Sequence, residues 1–411
     1  MTAAPRACFF LGNYRPEAFG IGRYVPYYVD ALAAAGWTAE VFAPYPFYPT
    51  WRLDRSLPAE SSEAGRVRVS RYAPFVPRRP TGGLRILHDL SLGWHAVRLL
   101  GLRAGPADLF VAASPPLLGA AVTVQLARWR RRPSIVLAYD LVADLAGEAG
   151  SAGGSSVRAL RATEKRVYAG ATEVIALTDG MARRIEALTG RAEPVSVLRI
   201  WADENLFQLD LAQAGAAFRV EQGIDPAAYL IGFAGNFGRK QQLVGIANAA
   251  SGLPAAYHTV FVGDGPERTE LERLAAASAG RIRVLPPQSE PGLHAFLAAC
   301  DASIVVAWTQ RAGTLFPSKA ANVLAAGCPI VAVTPRDGDL GRLIESEALG
   351  VVCPSLAPDE LRAAMTRAAE LGRSPEQRER CRAYALRYLR RDSVTDRFVA
   401  WANRLVARDR P

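Results

Sequence analysis

What most constrains this chain is a rhythm that plays through once and then restarts. Short apolar runs of strand length alternate with longer stretches of helical spacing. "ACFFLG" (7–12) reads as a first strand and "YVPYYVDALAAAGW" as a helix that stops near Gly36. "TAEVFAP" and the more exposed, alternating "RVRVSRYAP" (66–74) follow, then "DLFVAAS", "SIVLAYD" and "EVIALT" (173–178), with helical segments between. The second series is "YLIGFAG" (229–235), "HTVFVGDG" (258–265), "IRVLPP", "ASIVVAW" (302–308), "CPIVAVT" (328–334) and "GVVCP". Strands alternating with helices form βαβ units, because a parallel neighbour needs a crossover long enough to hold a helix. Two such series predict an α/β protein with two Rossmann-like parallel-sheet domains facing across a cleft. The first spans 1–198 and the second 199–390, joined near "RIWADENLF" (199–207). Residues 391–411, with the amphipathic "VTDRFVAWANRLVARD", are expected to form a C-terminal helix that packs back on the first domain.

A length of 411 residues exceeds one ordinary core, and a chain half hydrophobic and about one-fifth charged is globular in composition. The net charge of +10 admits nucleic acid, an anionic membrane face or anionic small molecules. Nucleic acid is set aside: basic residues are spread thinly, and only fragments such as "RWRRRP" (128–133) cluster. Five widely spaced cysteines without C-x-x-C and four histidines without a ligand-spaced pair predict reduced thiols, a cytoplasmic location and no metal site. No secretory leader is read at the start. The longest uncharged run, "LFVAASPPLLGAAVTVQLA" (109–127), is broken by Pro115 and Pro116 and fits strand, turn and helix better than a membrane span.

Lysine occurs only at 165, 240 and 319; every other basic side chain apart from histidine is arginine. A retained lysine is a candidate for a place where a compact ammonium is wanted, whereas Lys165, in the helical "RATEKRVYAG", reads as a surface residue. Lys240 lies in "GNFGRKQQL" (235–243), a turn with two glycines and two cations directly after an apolar strand. A phosphate cradle and an ordinary solvated turn both fit these nine residues. Lys319 lies in "LFPSKAANVLAAG", where Pro317 and Ser318 read as a helix opening with Ser318 as cap. A cation in a first helical turn is unfavourable unless an anion is near, although a lysine facing solvent costs little. The nicotinamide fingerprint is a weaker match. After the first strand, Gly20 and Gly22 come late and lack a third glycine, and "FVGDGPER" and "FAGNFGRK" fail the spacing. Asp140 ends the strand "SIVLAYD" where an active-site carboxylate would orient an acceptor; capping the next helix is its other reading. Glu164 reads as structural.

With "NYRPEAFGIGRY", "PYPFYPTW", "RYAPFVPRRPTGGLRILHDLS", "SPPLLGA", "YDLVAD", "EKRVYAGATEVIALTDGM", "GNFGRKQ", "FVGDGPER" and "FPSKAANVLAAGCPIVAV" in order, the chain resembles family 4 retaining glycosyltransferases of GT-B fold, in the WcaI-like surface-polysaccharide branch. The resemblance implies a donor site for a UDP-, GDP- or dTDP-sugar. That site takes in Gly20, Gly22, Gly235, Asn236, Arg239, Lys240, Leu285, Thr314, Leu315, Ser318, Lys319 and Asn322. Thr314 and Asn322 stand where many members carry the two glutamates of a Glu–seven residues–Glu motif, which puts donor-sugar contacts drawn from the wider family in doubt. Pro286 and Pro287 have no N–H for a base. Asp140 is the implied catalytic carboxylate, and Arg23, Tyr24 and Asp144 the implied acceptor contacts, with Tyr24 equally readable as core. No metal and no cofactor beyond the donor are implied. The acceptor is a glycan, lipid-linked or a small molecule, and Tyr45 to Trp51 with Arg78, Arg79 and Arg85 could rest on the inner face of an anionic membrane. A GT-B epimerase or silent nucleotide-sugar binder, and less so a dehydrogenase, are the alternatives.

Overall fold

The computed structural model describes residues 4–17, 20–63, 65–79, 82–148, 154–308 and 317–409. The chain forms two compact units, Met1–Leu198 with Thr395–Pro411, and Arg199–Val394.

The first unit is built on an eight-stranded sheet. Its strands are β1 (Arg6–Phe10), β2 (Thr38–Pro44), β3 (Glu60–Glu63), β4 (Val67–Tyr72), β5 (Leu109–Ser114), β6 (Ser134–Ala138), β7 (Glu173–Ala176) and β8 (Ser196–Val197). Their order is β3-β4-β2-β1-β5-β6-β7-β8. All neighbours are parallel except β3, which runs antiparallel to β4. Every residue of β5 and β6 is buried, as expected of central strands covered by helices on both faces. β3 and β8 are the two strands the apolar rhythm misses: "ESSE" has no hydrophobic side and lies at one sheet edge, and β8 is only two residues long at the other. The uncharged run at 109–127 is β5 followed by the helix Leu117–Trp129, and among the described residues no helix is long and apolar enough to cross a membrane.

The second unit holds β9 (Tyr229–Asn236), β10 (Tyr257–Asp264), β11 (Ile282–Leu285), β12 (Ala302–Val306), β13 (Ile330–Val333) and β14 (Gly350–Cys353), all parallel, in the order β11-β10-β9-β12-β13-β14. This is a doubly wound order with its reversal between β9 and β12. Beyond the carboxyl ends of those two strands the crossovers diverge to opposite faces and leave a crevice. β9 and β10 stay paired to their ends, where Gly263 takes a φ of +151°. Gly263 pairs with Gly235, and a Cβ on Gly263 would come within 1.9 Å of the Gly235 carbonyl oxygen. The glycines of "FVGDGPER" are therefore a packing requirement between strands, which removes the last support for a dinucleotide fingerprint there.

The helix Arg391–Asp409 closes the chain, and from Thr395 onward it belongs with the first unit. There Phe398 packs on Tyr28 with ring centroids 4.7 Å apart, and the Trp37 Nε1–H donates to Asn403 Oδ1 at 3.0 Å.

Candidate functional site

In the second unit β9 runs out into solvent at Gly235 and Asn236, and the buried ring of Phe237 pins the turn beneath it. Two hydrogen bonds hold Phe237: its N–H donates to the Asp264 carbonyl at 2.8 Å, and its carbonyl accepts from Glu267 N–H at 3.0 Å. The Glu267 carboxylate in turn accepts from Leu243 N–H at 3.1 Å, fixing the start of the next helix. Between these anchors Arg239 and Lys240 form a short 3₁₀ turn, both exposed. The two cations thus stand on a preformed turn at the switch point of the sheet.

The helix Ser318–Ala325 leads from the β12 side towards the same strand end. Pro317 occupies its cap position and Ser318 is the first helical residue, exposed and making no cap, which corrects the reading of Ser318 as cap. Lys319 is largely buried. Its Nζ lies 4.1 Å from the Phe233 ring centroid and donates to Gln241 Oε1 at 3.2 Å. A Cβ on Gly235 would stand 3.4 Å from that nitrogen, so the lysine sits directly beside the strand end. Among the described residues no carboxylate pairs with it. Burial pushes its pKa down from 10.5 to about 8, since a desolvated ammonium is disfavoured. Gln241 and Phe233, which hold Lys319, were not singled out in sequence. Phe233 is one apolar residue in an apolar run, and only the fold shows which ring faces the ammonium.

The remaining candidates separate. Asn322 Oδ1 accepts from Asp203 N–H at 2.9 Å, tying the helix to the segment that opens this unit. Leu285 ends β11, paired with Val262 one strand further from β9. Thr314 and Leu315 lie outside the described residues.

In the first unit, Gly20–Arg23 form a 3₁₀ turn ahead of the helix Val25–Ala34. Gly20 takes φ +56°, whereas Gly22 is needed for space: a Cβ there would stand 2.9 Å from the Glu17 carbonyl oxygen. Glu17, buried and missed by the sequence reading, organises this loop. Its carboxylate accepts from Phe47 N–H and Tyr48 N–H at 2.7 Å each and from Asn13 Nδ2 at 2.8 Å. It thereby joins the glycine loop to the aromatic–proline segment, where the rings of Phe47, Trp51 and His88 pack edge to face. Arg23 is exposed above the Tyr24 ring, and burial raises the Tyr24 phenol. Asp140 follows β6 and is exposed. Asp144 is engaged elsewhere: it takes Arg184 through two bonds of 2.6 and 2.8 Å and Arg161 through one of 3.2 Å. Burial pushes the Asp144 carboxyl up, but the two guanidinium groups outweigh it and hold it below the usual range. Glu164, 2% exposed, accepts from Ala143 N–H at 3.2 Å at the start of the helix that follows Asp140. Burial raises its pKa to about 7, against the pull of the Ala143 and Val142 N–H groups.

Residues 19–201 match the glycosyl transferase 4-like domain and residues 228–370 the glycosyl transferases group 1 domain. The chain belongs to the glycosyltransferases. Within them it is of the WcaI-like kind, with 29% identity over 94% of this chain and 97% of the putative colanic acid biosynthesis glycosyl transferase WcaI of Escherichia coli K12. The solved structure of HepE from Anabaena in complex with UDP superposes with a TM-score of 0.67 at 16% identity, over 97% of this chain and all of that one. WaaG, a glycosyltransferase of lipopolysaccharide biosynthesis, superposes with a TM-score of 0.61 at 17% identity, over 95% of this chain and 98% of its own. The glycosyltransferase therefore has the GT-B fold, and the crevice at β9 and β12 lies in its group 1 domain.

Proposed function

We propose that this glycosyltransferase binds the diphosphate of a nucleotide sugar against Lys319, Arg239 and Lys240. The sugar would pass to a lipid-linked glycan with retention of configuration and with no metal at the phosphates. The observation that carries the donor reading is Lys319: a largely buried ammonium beside a glycine strand end, with a neutral amide as its hydrogen-bond partner. A desolvated cation gains most from a ligand that brings negative charge into the same dry place. When the anomeric carbon–oxygen bond breaks, charge builds on the departing diphosphate, and fixed cations there lower the barrier without reorganising. In a front-face course the leaving phosphate oxygen takes the acceptor hydroxyl proton, with Asp140 as the group that orients the acceptor. UDP is the first nucleotide to test, since the HepE structure holds it.

The acceptor side is supported by the helix Gly82–Leu102, which buries Leu92, Ala96, Leu99 and Leu100 and still exposes apolar side chains. Leu84, Ile86, Leu87, Leu90, Trp94 and Val97 are exposed, Leu90 by 52% and Trp94 by 67%. The charged residues exposed along its described length are Arg85 and Arg98. Asp89 is the helix's acid, and burial lifts its pKa to about 6 against hydrogen bonds from the Leu118 and Leu117 N–H groups. An apolar face edged by guanidinium groups suits an anionic bilayer, where a lipid-linked acceptor resides.

Two assays test the reading. Melting temperature with UDP, GDP and dTDP, each in EDTA, should rise with one of them and stay unmoved by it in Lys319→Met. Anionic vesicles should sediment the wild type and leave Leu90→Glu/Trp94→Glu in solution. Failure of the first sinks the donor reading, and failure of the second the membrane-bound acceptor.

A further inference from the structure

We propose that Asp203, Glu290 and His294 form a divalent transition-metal site in the second unit, set apart from the phosphates. The helix Glu290–Ala299 is capped by Ser289, whose hydroxyl accepts from Gly292 N–H at 3.4 Å. Glu290 stands in its first turn and His294 one turn further on, a spacing that puts carboxylate and imidazole on the same helical face. Asp203 comes from a segment 87 residues earlier by sequence number (290 − 203). One ligand atom from each of the three lies within 4.8 Å of the others.

The second observation concerns His294 itself. It is 4% exposed, and its buried Nε2 has no hydrogen-bond partner among the described residues. That nitrogen faces Asp203 Oδ2 at 3.5 Å, too long for a good hydrogen bond and close to the separation of two ligands on one small cation. A buried ring nitrogen left unpaired is costly, and coordination accounts for it. The surroundings also hold the carboxylates in place. Asp203 Oδ1 accepts from Asn205 N–H at 3.0 Å, and Asn205 Nδ2 donates to Glu290 Oε1 at 2.6 Å. Such outer contacts orient metal ligands.

The donor set names the class of ion. One imidazole and two carboxylates suit Zn²⁺, Co²⁺ or Mn²⁺, whereas Mg²⁺ and Ca²⁺ prefer oxygen alone. Three protein ligands leave a position for water. The site reaches the donor helix through one bond: Asp203 N–H donates to Asn322 Oδ1, and Asn322 is three residues beyond Lys319. A bound cation would clamp the segment after the unit boundary to the helices at 290–299 and 318–325, fixing the position of Lys319 without touching the diphosphate.

The test is titration of metal-stripped full-length protein with Zn²⁺ by calorimetry, with melting temperature as a second readout. Wild type is expected to bind one equivalent and to melt higher with zinc. Glu290→Gln, a change at an exposed position that keeps the Oε1 acceptor for Asn205, and His294→Ala should each weaken binding at least tenfold and lose the zinc-dependent rise. Absence of one-equivalent binding, or binding that Glu290→Gln leaves unchanged, overturns the proposal. The proposal is separable from the donor reading. Sensitivity of transfer to EDTA that comes from this clamp disappears in Glu290→Gln, whereas a metal at the diphosphate would keep that variant sensitive.

Discussion

Replacing Lys319 with Met should make the free protein more stable and the donor site worse. Burial lowers the Lys319 pKa from 10.5 to about 8. At roughly 1.4 kcal/mol per tenfold change in proton affinity, holding that ammonium protonated in the fold costs about 3 kcal/mol. The sign follows from proton counting. Between pH 8 and 10.5 the unfolded chain binds the proton and the folded one does not, so stability rises with pH across that window, and the full penalty applies below it. Met keeps an apolar, polarisable chain over the Phe233 ring but gives up the bond to Gln241 Oε1. The net gain at pH 7 is then about 1–2 kcal/mol after the lost hydrogen bond is subtracted. That corresponds to a rise of about 3–6 °C in melting temperature for a unit of this size. The same change removes a charge-assisted bond to phosphate, about 2–3 kcal/mol or 30- to 150-fold in Kd. Calorimetric melting at pH 7 and pH 10, with and without the nucleoside diphosphate that shifts the wild type most, reads both effects. The stability gain should shrink towards pH 10. A variant that melts below wild type, or one that binds the nucleotide as tightly, refutes the reasoning.

Glu164 carries the opposite pH signature. Its folded pKa of about 7 lies above the usual 4.5, so wild-type stability falls as pH rises from 4.5 through 7. Glu164→Gln should match wild type at pH 5 and exceed it by about 1–2 kcal/mol at pH 8, measured by urea unfolding; parallel profiles would exclude the buried acid. Asp140→Asn is expected to lower kcat at least about tenfold with donor Kd unchanged, in a coupled assay of nucleoside diphosphate release, the size expected for losing a proton-handling group. An unaltered kcat would move acceptor handling elsewhere. Gly263→Ala should cost more than about 2 kcal/mol, because its new methyl meets the Gly235 carbonyl and its φ of +151° is strained for any side chain. Equal chemical denaturation of variant and wild type would show that β9 and β10 can separate there.

The two sheets were legible in the sequence because buried parallel strands are continuous apolar runs and their crossovers carry helical spacing. Both signals are local. The polar edge strand Glu60–Glu63 was not, since its place is set by pairing with β4 and by nothing in its own four residues. The cations at 239, 240 and 319 stood out by rarity and by their place at strand and helix ends. Their supports did not. Phe233 and Gln241 about Lys319, and Glu17 beneath the glycine loop, are ordinary residues until folding sets them in contact. Asp144 read as a second acceptor group, yet two arginines from other helices hold it. The pairing of Asp203 with Glu290 and His294, 87 and 91 positions later, was equally invisible. The sequence alone determined the buried strands, the helices between them and where charge collects at their ends, since each depends on neighbours a few residues away; the edge strands Glu60–Glu63 and Ser196–Val197 were decided by pairing. Which polar atoms meet depends on strand order and helix packing, and those are fixed only when distant apolar faces are buried together.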